Sequence, residues 1–115
     1  MSMNVQIFGR SKCFDTKKAE RYFKERRIPY QRVELDKYGI RRRELESVLA
    51  AVGGLDAVID PKAKDAVLIR YLAHDEDKLE KLLESPQALR TPIVRNGRQA
   101  TVGYCPEVWE QWCNA

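Results

Sequence analysis

The stretch VQIFGRSKCFDTKKAERYF, residues 5–23, joins a short apolar segment to an amphipathic one. Residues 3–8 predict a first strand, because apolar side chains alternate there and the run stops at Gly9. Residues 14–26 predict a helix, because apolar side chains recur at helical spacing: Ala19, Tyr22 and Phe23. A cysteine, Cys13, therefore lies where the first strand leads into the first helix.

The position of Cys13 favours thiol chemistry. A helix N-terminus presents unpaired backbone N–H groups, and these stabilise a thiolate, which is the nucleophilic form of cysteine. Ser11, Lys12 and Lys17 add an electropositive setting that lowers a thiol pKa, and Asp15 opposes it slightly. The alternative is a buried structural cysteine, which is common among free cysteines.

The composition is that of one ordinary globular domain. The chain has 115 residues, 43% of them hydrophobic and 33% charged, so we expect a single domain over residues 1–115. No apolar run reaches the ~20 residues of a membrane span, and residues 1–4 lack a signal-peptide pattern. We therefore expect a cytoplasmic protein without membrane association. The net charge of +4 is scattered among acidic residues, and we expect no direct nucleic-acid binding.

The rest of the chain predicts a second βα segment, a helical middle and a final hairpin with a helix. The predicted elements are a strand at 30–35, helices at 41–52, 67–71 and 75–84, strands at 93–95 and 99–102, and a helix from Pro106 to Cys113. Asn96-Gly97 predicts a type I′ hairpin turn. Trp109 and Trp112 are expected to pack on the sheet, with Cys113 on the same inner stripe.

This order, βαβ then ββα with a thiol after the first strand and a proline before the third, resembles the thioredoxin fold. The helical block between the halves is similar to that of the arsenate reductase (ArsC) family and its relatives, the Spx regulators. The segments that carry the resemblance are 7–13 with 17–19, 28–30, 89–94, and 102–104 with 106–107.

The resemblance implies an α/β protein with a four-stranded mixed sheet and a helical lobe inserted at about residues 41–86. It also implies that Cys13 is the reactive thiol and that Pro92 is cis. A cis bond there would bring the backbone of Thr91 beside Cys13, where it could pair with a thiol substrate.

Two departures from the family pattern bear on the chemistry. Arsenate reductases of this family place an arginine directly before the proline, whereas this chain has Thr91 there and Arg90 one residue earlier. Neighbouring side chains in an extended segment point to opposite faces, so the sequence disfavours arsenate reduction. Spx regulators often carry a second cysteine three positions after the first, and here that position is Thr16.

The remaining candidates each have two interpretations. Thr16 either hydrogen-bonds the Cys13 thiolate or is a plain first-turn residue. Lys12, Lys17 and Arg90 either bind an anionic group, such as a glutathione carboxylate, or are surface charges. Cys105 precedes the last helix, at the sheet edge where the first and fourth strands end. It is either a resolving thiol near Cys13, with a similarly favoured thiolate, or a residue at a helix start with no redox role.

Two classes of function follow. In the first, a thiol-dependent oxidoreductase uses Cys13 to attack a small-molecule or protein substrate, and glutathione, another thiol or Cys105 resolves the adduct. We expect no bound cofactor, and no metal because one histidine and three dispersed cysteines lack zinc-ligand spacing. In the second, the chain is an Spx-like redox-responsive regulator or adaptor that binds a protein partner such as RNA polymerase.

Overall fold

The computed structural model describes residues 3–114, in which the strands and helices follow one another in nearly the predicted order. The strands are β1 (Val5–Gly9), β2 (Tyr30–Glu34), β3 (Ile93–Asn96) and β4 (Gln99–Val102). The helices are α1 (Phe14–Glu25), α2 (Leu35–Tyr38), α3 (Arg42–Val52), α4 (Ala66–Arg70), α5 (Asp75–Glu84) and α6 (Pro106–Asn114). Within this range, none of the helices is long and apolar enough to cross a membrane.

The four described strands form one mixed sheet in the order β2-β1-β3-β4. β1 and β2 are parallel, as a βαβ unit requires, and the β1–β3 and β3–β4 pairs are antiparallel. Phe8 pairs with Ile93, which in turn pairs with Val102. The ends of β1 and β4 and the start of β3 therefore meet at one edge of the sheet, which is the edge expected to carry the site.

Both faces of the sheet are covered. Val5 and Ile7 of β1 point to one face, where α1 and α6 pack through buried aromatic side chains: Tyr22, Phe23, Trp109 and Trp112. Phe8 points to the other face, where it joins the apolar side chains of α3, α4 and α5 in a second core. The helical segment inserted between the two halves thus forms a layer against the sheet, and the predicted thioredoxin-like α/β fold is confirmed.

The end of the second strand differs from its prediction. Leu35 was expected to close the strand, but it begins the single-turn helix α2 and is fully buried in the second core. This turn ends at Gly39, whose φ of 68° lies in the left-handed region that glycine adopts without strain. The apolar alternation of the strand continues into Leu35, so periodicity alone could not separate the two elements.

The hairpin turn is also displaced by one residue from its prediction. Asn96 pairs with Gln99 at the end of the ladder, so the two turn residues are Gly97 and Arg98 rather than Asn96 and Gly97. Only Gly97 has a positive φ, at 61°, which fits a type II′ turn with glycine at its first position and not type I′. Asn96 instead uses its side-chain oxygen to accept the backbone N–H of Asn4 at 3.1 Å.

Helix α6 confirms one core prediction and overturns another. Trp109 and Trp112 are buried against the sheet as expected. Cys113, however, is exposed. The side of this nine-residue helix that faces the core carries Trp109 and Trp112 with the partly buried Val108, and Cys113 lies outside it near the end of the helix.

Candidate active site

The loop between β1 and α1 presents Cys13 as the N-terminal capping residue of the helix. Its backbone N–H donates to the carbonyl of Arg10 at 3.0 Å, which closes a tight turn. Its own carbonyl accepts the N–H of Lys17 at 3.3 Å and so begins the helix. Cys13 itself has extended dihedral angles, φ −84° and ψ 119°. The thiol is therefore half-buried at the helix start, as the sequence predicted.

Thr16 packs under this loop in a space that only glycine leaves open. A Cβ atom on Gly9 would lie 2.6 Å from Thr16 Oγ1, which is well inside contact distance. The Thr16 side chain is fully buried, and its hydroxyl accepts the backbone N–H of Arg10 at 3.3 Å. The close approach of strand β1 and helix α1 thus brings the Thr16 hydroxyl next to the thiol. Thr16 is not a plain solvent-facing first-turn residue.

The Thr91–Pro92 peptide is cis, and it lies beside the thiol as the family resemblance implied. The Cys13 thiol donates to the Thr91 carbonyl, with Sγ and oxygen 3.6 Å apart. The Pro92 carbonyl accepts the N–H of Gly103 at 2.8 Å, which ties this segment to the end of β4. Residues 78 positions apart in the chain are therefore brought together at the edge of the sheet.

The surroundings of Cys13 favour its thiolate. Partial burial raises the pKa of Cys13, but hydrogen bonds outweigh this effect and the net pKa is lowered. The donors are the side chains of Thr16 and Thr91 and the backbone N–H groups of Thr16 and Asp15. Hydrogen bonds to the charged form of a group stabilise that form, so more thiolate exists near neutral pH than for an ordinary cysteine.

Cys105 lies at the same sheet edge but in a different electrostatic setting. Burial raises the pKa of Cys105, and the carboxylate of Glu107 raises it further. Its thiol donates to the Val102 carbonyl at 3.4 Å and packs against the core formed by α1 and α6. The expectation that both cysteines have favoured thiolates is therefore wrong for Cys105, because desolvation and a neighbouring negative charge oppose its ionisation.

The three basic residues that could bind an anion lie in different parts of the structure. Arg90 is exposed, and its positive charge acts on the thiol of Cys105. Lys12 and Lys17 are exposed on the Cys13 loop and the first turn of α1. Their role in binding an anion stays a prediction. Lys17 borders a surface pocket of about 410 Å³ whose other charged side chains, those of Arg32, Glu20 and Glu34, pair with one another.

Sequence reasoning missed Arg10, which is the most extensively hydrogen-bonded side chain of the site. Its guanidinium bonds Asp36 and the segment 86–91, which lies 76 to 81 residues further along the chain. The only sequence signal was a charged residue in a short loop between strand and helix. Such a residue is usually a solvated surface group, so only the tertiary contacts identify it.

Two exposed aromatic side chains, Phe14 and Tyr104, share a contact with Lys18 of α1. Phe14 follows Cys13 directly and is 71% exposed, and Tyr104 from the end of β4 is 42% exposed. The ammonium group of Lys18 lies 5.1 Å from the Phe14 ring centre and 5.3 Å from that of Tyr104, which places it between the two rings. The rim of the site thus offers apolar surface together with positive charge.

A thiol at a helix start beside a cis-proline, on this sheet order, defines a thioredoxin-like protein. The fold is similar to that of an arsenate reductase from Vibrio cholerae, with a TM-score of 0.83 and 20% identity over 96% of this chain and 98% of that one. A glutaredoxin from Archaeoglobus fulgidus matches at a TM-score of 0.50 and 16% identity, over 98% and 88% of the two chains. These likenesses show the fold alone.

The family follows from a sequence relative. The chain is 34% identical over 107 residues to global transcriptional regulator Spx 2 of Oceanobacillus iheyensis, which covers 89% of this chain and 78% of the relative. No family model matches the chain. The chain therefore belongs to the ArsC/Spx family, and the resemblance seen in the sequence is confirmed.

Proposed function

We propose that this protein is a cytoplasmic thiol-dependent oxidoreductase whose nucleophile is Cys13. The observation that carries the proposal is the lowered pKa of a thiol held against the Thr91 carbonyl beside a cis-proline. A lowered pKa increases the fraction of thiolate near neutral pH, and the thiolate is the species that attacks a disulfide. The substrate class that the site supports best is a disulfide of a small molecule, such as a mixed disulfide of glutathione with another thiol, or of a protein.

The proposed reaction has two steps. In the first, the Cys13 thiolate attacks one sulfur of the substrate disulfide. The S–S bond breaks, a mixed disulfide forms on Cys13, and the other half of the substrate leaves as a thiolate. In the second, a thiolate such as that of glutathione attacks the outer sulfur of the mixed disulfide. A new disulfide forms and Cys13 is released as a thiolate.

The loop and the cis-proline segment supply the substrate contacts in this proposal. Lys12 and Lys17 attract anionic groups of the substrate, such as the carboxylates of glutathione, because both are exposed near the thiol. Thr91 presents its backbone carbonyl to Cys13, next to the cis bond to Pro92. Phe14 and Tyr104 add exposed apolar contact area.

We do not propose arsenate as the substrate. An oxyanion needs donors that are free to bind it, and planar arginine side chains are the best of these. Arg10 already uses four hydrogen bonds within the protein. Arg90 is exposed, and its positive charge acts on the thiol of Cys105. The position directly before the proline holds Thr91, whose hydroxyl serves the thiol.

An external thiol is the better candidate than Cys105 for the second step. Attack on a mixed disulfide requires a thiolate, and the raised pKa of Cys105 keeps that thiol protonated near neutral pH. Its hydrogen bond to the Val102 carbonyl also uses the thiol proton. Cys13 therefore acts as a single redox thiol, and the reductant is glutathione or another cellular thiol.

Treatment with oxidised glutathione, followed by peptide mapping with mass spectrometry, tests this proposal. We expect one glutathione adduct, on Cys13, whose rate of formation rises with pH and levels off above the lowered pKa of Cys13. Cys105 should stay unmodified. A Cys13–Cys105 bridge would contradict the external-thiol step. The absence of any adduct on Cys13 would contradict the proposal itself.

The second candidate function is a regulator that binds a protein partner such as RNA polymerase. The observation that favours it is the 34% identity to a global transcriptional regulator. The lobe also carries exposed apolar side chains of the kind that protein interfaces bury. They belong to α4 and the residues that follow it: Val67, Leu68, Tyr71 and Leu72. Because position 16 is Thr16 and not a second cysteine, Cys13 cannot form a disulfide within this turn. Binding to a partner does not require that disulfide.

Binding to purified RNA polymerase of the same organism tests the second candidate. If the chain is such a regulator, Leu68→Glu should weaken binding at least about tenfold, because a charge would be buried in the interface. Arg98→Glu in the hairpin turn is a matched exposed control that should bind normally. Cys13→Ser should also bind. A wild-type protein that shows no binding would exclude this function for the polymerase.

A further inference from the structure

The guanidinium of Arg10 joins the thiol loop to the cis-proline segment. Nε bonds Asp36 Oδ1 at 2.8 Å, Nη1 bonds the Leu89 carbonyl at 2.9 Å, and Nη2 bonds the Pro86 carbonyl at 2.7 Å. A fourth bond runs from Nη1 to Thr91 Oγ1 at 3.4 Å. The side chain is only 17% exposed. Arg10 is thus enclosed by its partners and holds residues 86–91 against the loop.

The same residue also determines the roles of two hydroxyl groups. The Arg10 backbone N–H donates to Thr16 Oγ1 at 3.3 Å, and its guanidinium donates to Thr91 Oγ1. Both Arg10 groups are donors only, so neither can accept a hydroxyl proton in return. Each threonine is therefore an acceptor toward Arg10, and its own proton is free to point elsewhere. Hydrogen bonding by both side chains lowers the pKa of Cys13, and the Thr91 carbonyl lies 3.6 Å from Cys13 Sγ.

We propose that Arg10 is a positioning residue for the Cys13 thiolate, acting through the hydroxyls of Thr16 and Thr91, which it orients as donors to Sγ. The guanidinium controls the Thr91 hydroxyl, and the backbone N–H controls that of Thr16. This inference deepens the proposed function, because it names the residue that prepares the nucleophile. The hydrogen bonds of the described Arg10 guanidinium go to Asp36 and to residues 86–91 rather than to Cys13 Sγ, so Arg10 acts on the thiol through other groups.

The number of hydrogen bonds made by the Arg10 side chain explains why an arginine suits this position. A guanidinium has five N–H groups in a planar fork, and four acceptors around Arg10 use them. A lysine ammonium has three donors on a flexible stem and cannot reach all four acceptors at once. Arg10→Lys should therefore keep some of these four side-chain hydrogen bonds. Arg10→Met, which keeps the apolar stem, should keep none of them.

Titration of Cys13 tests the proposal directly. In a protein that carries Cys105→Ser and Cys113→Ser, the pH dependence of iodoacetamide alkylation reports the Cys13 thiolate alone. We expect Arg10→Met to slow alkylation near neutral pH by about tenfold, as for the loss of one hydrogen bond to a charged group. Its midpoint should move to higher pH. Arg10→Lys should lie between Arg10→Met and the parent protein.

A Thr91→Val background separates a relay from a general loosening of the site. If the guanidinium acts through the Thr91 hydroxyl, Thr91→Val alone should slow alkylation, and adding Arg10→Met should change it little further. The proposal is overturned if Arg10→Met leaves the midpoint unchanged, or if its effect is equally large with Val at position 91. Should Arg10→Met fail to fold, the same comparison is made with Arg10→Lys.

The other charged groups around the thiol stay constant in these variants. They are Lys12 in the loop and Asp15 and Lys17 in the first turn of α1, whereas Arg90 and Glu107 act on Cys105. Asp36→Asn keeps an oxygen acceptor for Arg10 Nε while removing the carboxylate charge, so its alkylation profile should match that of the parent. Because alkylation requires no disulfide substrate, a failure here is distinct from a failure of the proposed exchange reaction.

Discussion

Replacing Cys13 with Ser is expected to abolish disulfide exchange, with a fall in the rate on the order of 100-fold or more. A serine hydroxyl can still donate to the Thr91 carbonyl, so the loop should keep its shape. It does not ionise near neutral pH and has no sulfur with which to form a mixed disulfide. The substitution therefore removes the nucleophile and leaves the rest of the site in place. The measurement is the rate at which a mixed disulfide of glutathione and a second small thiol is consumed, with reduced glutathione as the other substrate, because that exchange yields oxidised glutathione as a distinct product.

Two matched variants complete this test. Cys105→Ser and Cys113→Ser each remove one thiol, from a half-buried helix start and from an exposed helix end respectively. Both should exchange disulfides at a rate close to that of the wild type. If exchange instead survived in Cys13→Ser and disappeared in Cys105→Ser, the nucleophile would be Cys105 and the assignment would be reversed.

Trp109→Ala is expected to have the largest effect on stability, lowering the free energy of unfolding by about 3–5 kcal/mol. Trp109 is fully buried, and its ring centre lies 5.2 Å from those of Tyr22 and Phe23 and 5.5 Å from that of Tyr104. Its Nε1 also donates to the buried hydroxyl of Thr101 at 2.8 Å. Truncation would leave a cavity between α1 and α6 and remove the partner of that hydroxyl.

A second variant separates the contributions to this loss of stability, and urea unfolding measures each of them. Trp109→Phe keeps an aromatic ring but lacks the indole N–H, so it should cost less than Trp109→Ala. Part of that cost is the hydrogen bond to Thr101, on the order of 1 kcal/mol. Tyr71→Ala, at a side chain that is 83% exposed, should stay within about 0.5 kcal/mol of the wild type. A Trp109→Ala protein as stable as this control would contradict the core assignment.

The prediction of the fold succeeded where local patterns are strong. The strand–thiol–helix segment at residues 5–23, the parallel partner strand and the final hairpin all lie in the predicted places. The errors fall where one short pattern fits two structures. The strand ending at Leu35 continues as a helical turn, and the turn after Asn96 is shifted by one residue. Packing and ladder register, not propensity, decide these positions.

Only part of the site could be predicted, because only its local relations can be read from the sequence. Cys13 and its helix start are adjacent in the chain, so their relation is local and readable. The Thr91–Pro92 segment came from family resemblance, and the cis bond agrees with it. Arg10 could not be found, because its partners lie far along the chain and include backbone carbonyls. Every residue has a backbone carbonyl, so the residue types of a sequence do not show which carbonyls accept a hydrogen bond.

For this chain, the amino-acid sequence by itself determined the family, the thioredoxin-like order of elements and the identity of the thiol, because these depend on local periodicity and residue type. Only the tertiary structure decided which of the two sheet-edge cysteines has the favoured thiolate. Both Cys13 and Cys105 precede a helix, so their local signals are alike. The difference arises because Cys13 meets the hydroxyls of Thr16 and Thr91, whereas Cys105 is desolvated beside Glu107. A thiol pKa is set by what surrounds the sulfur in space.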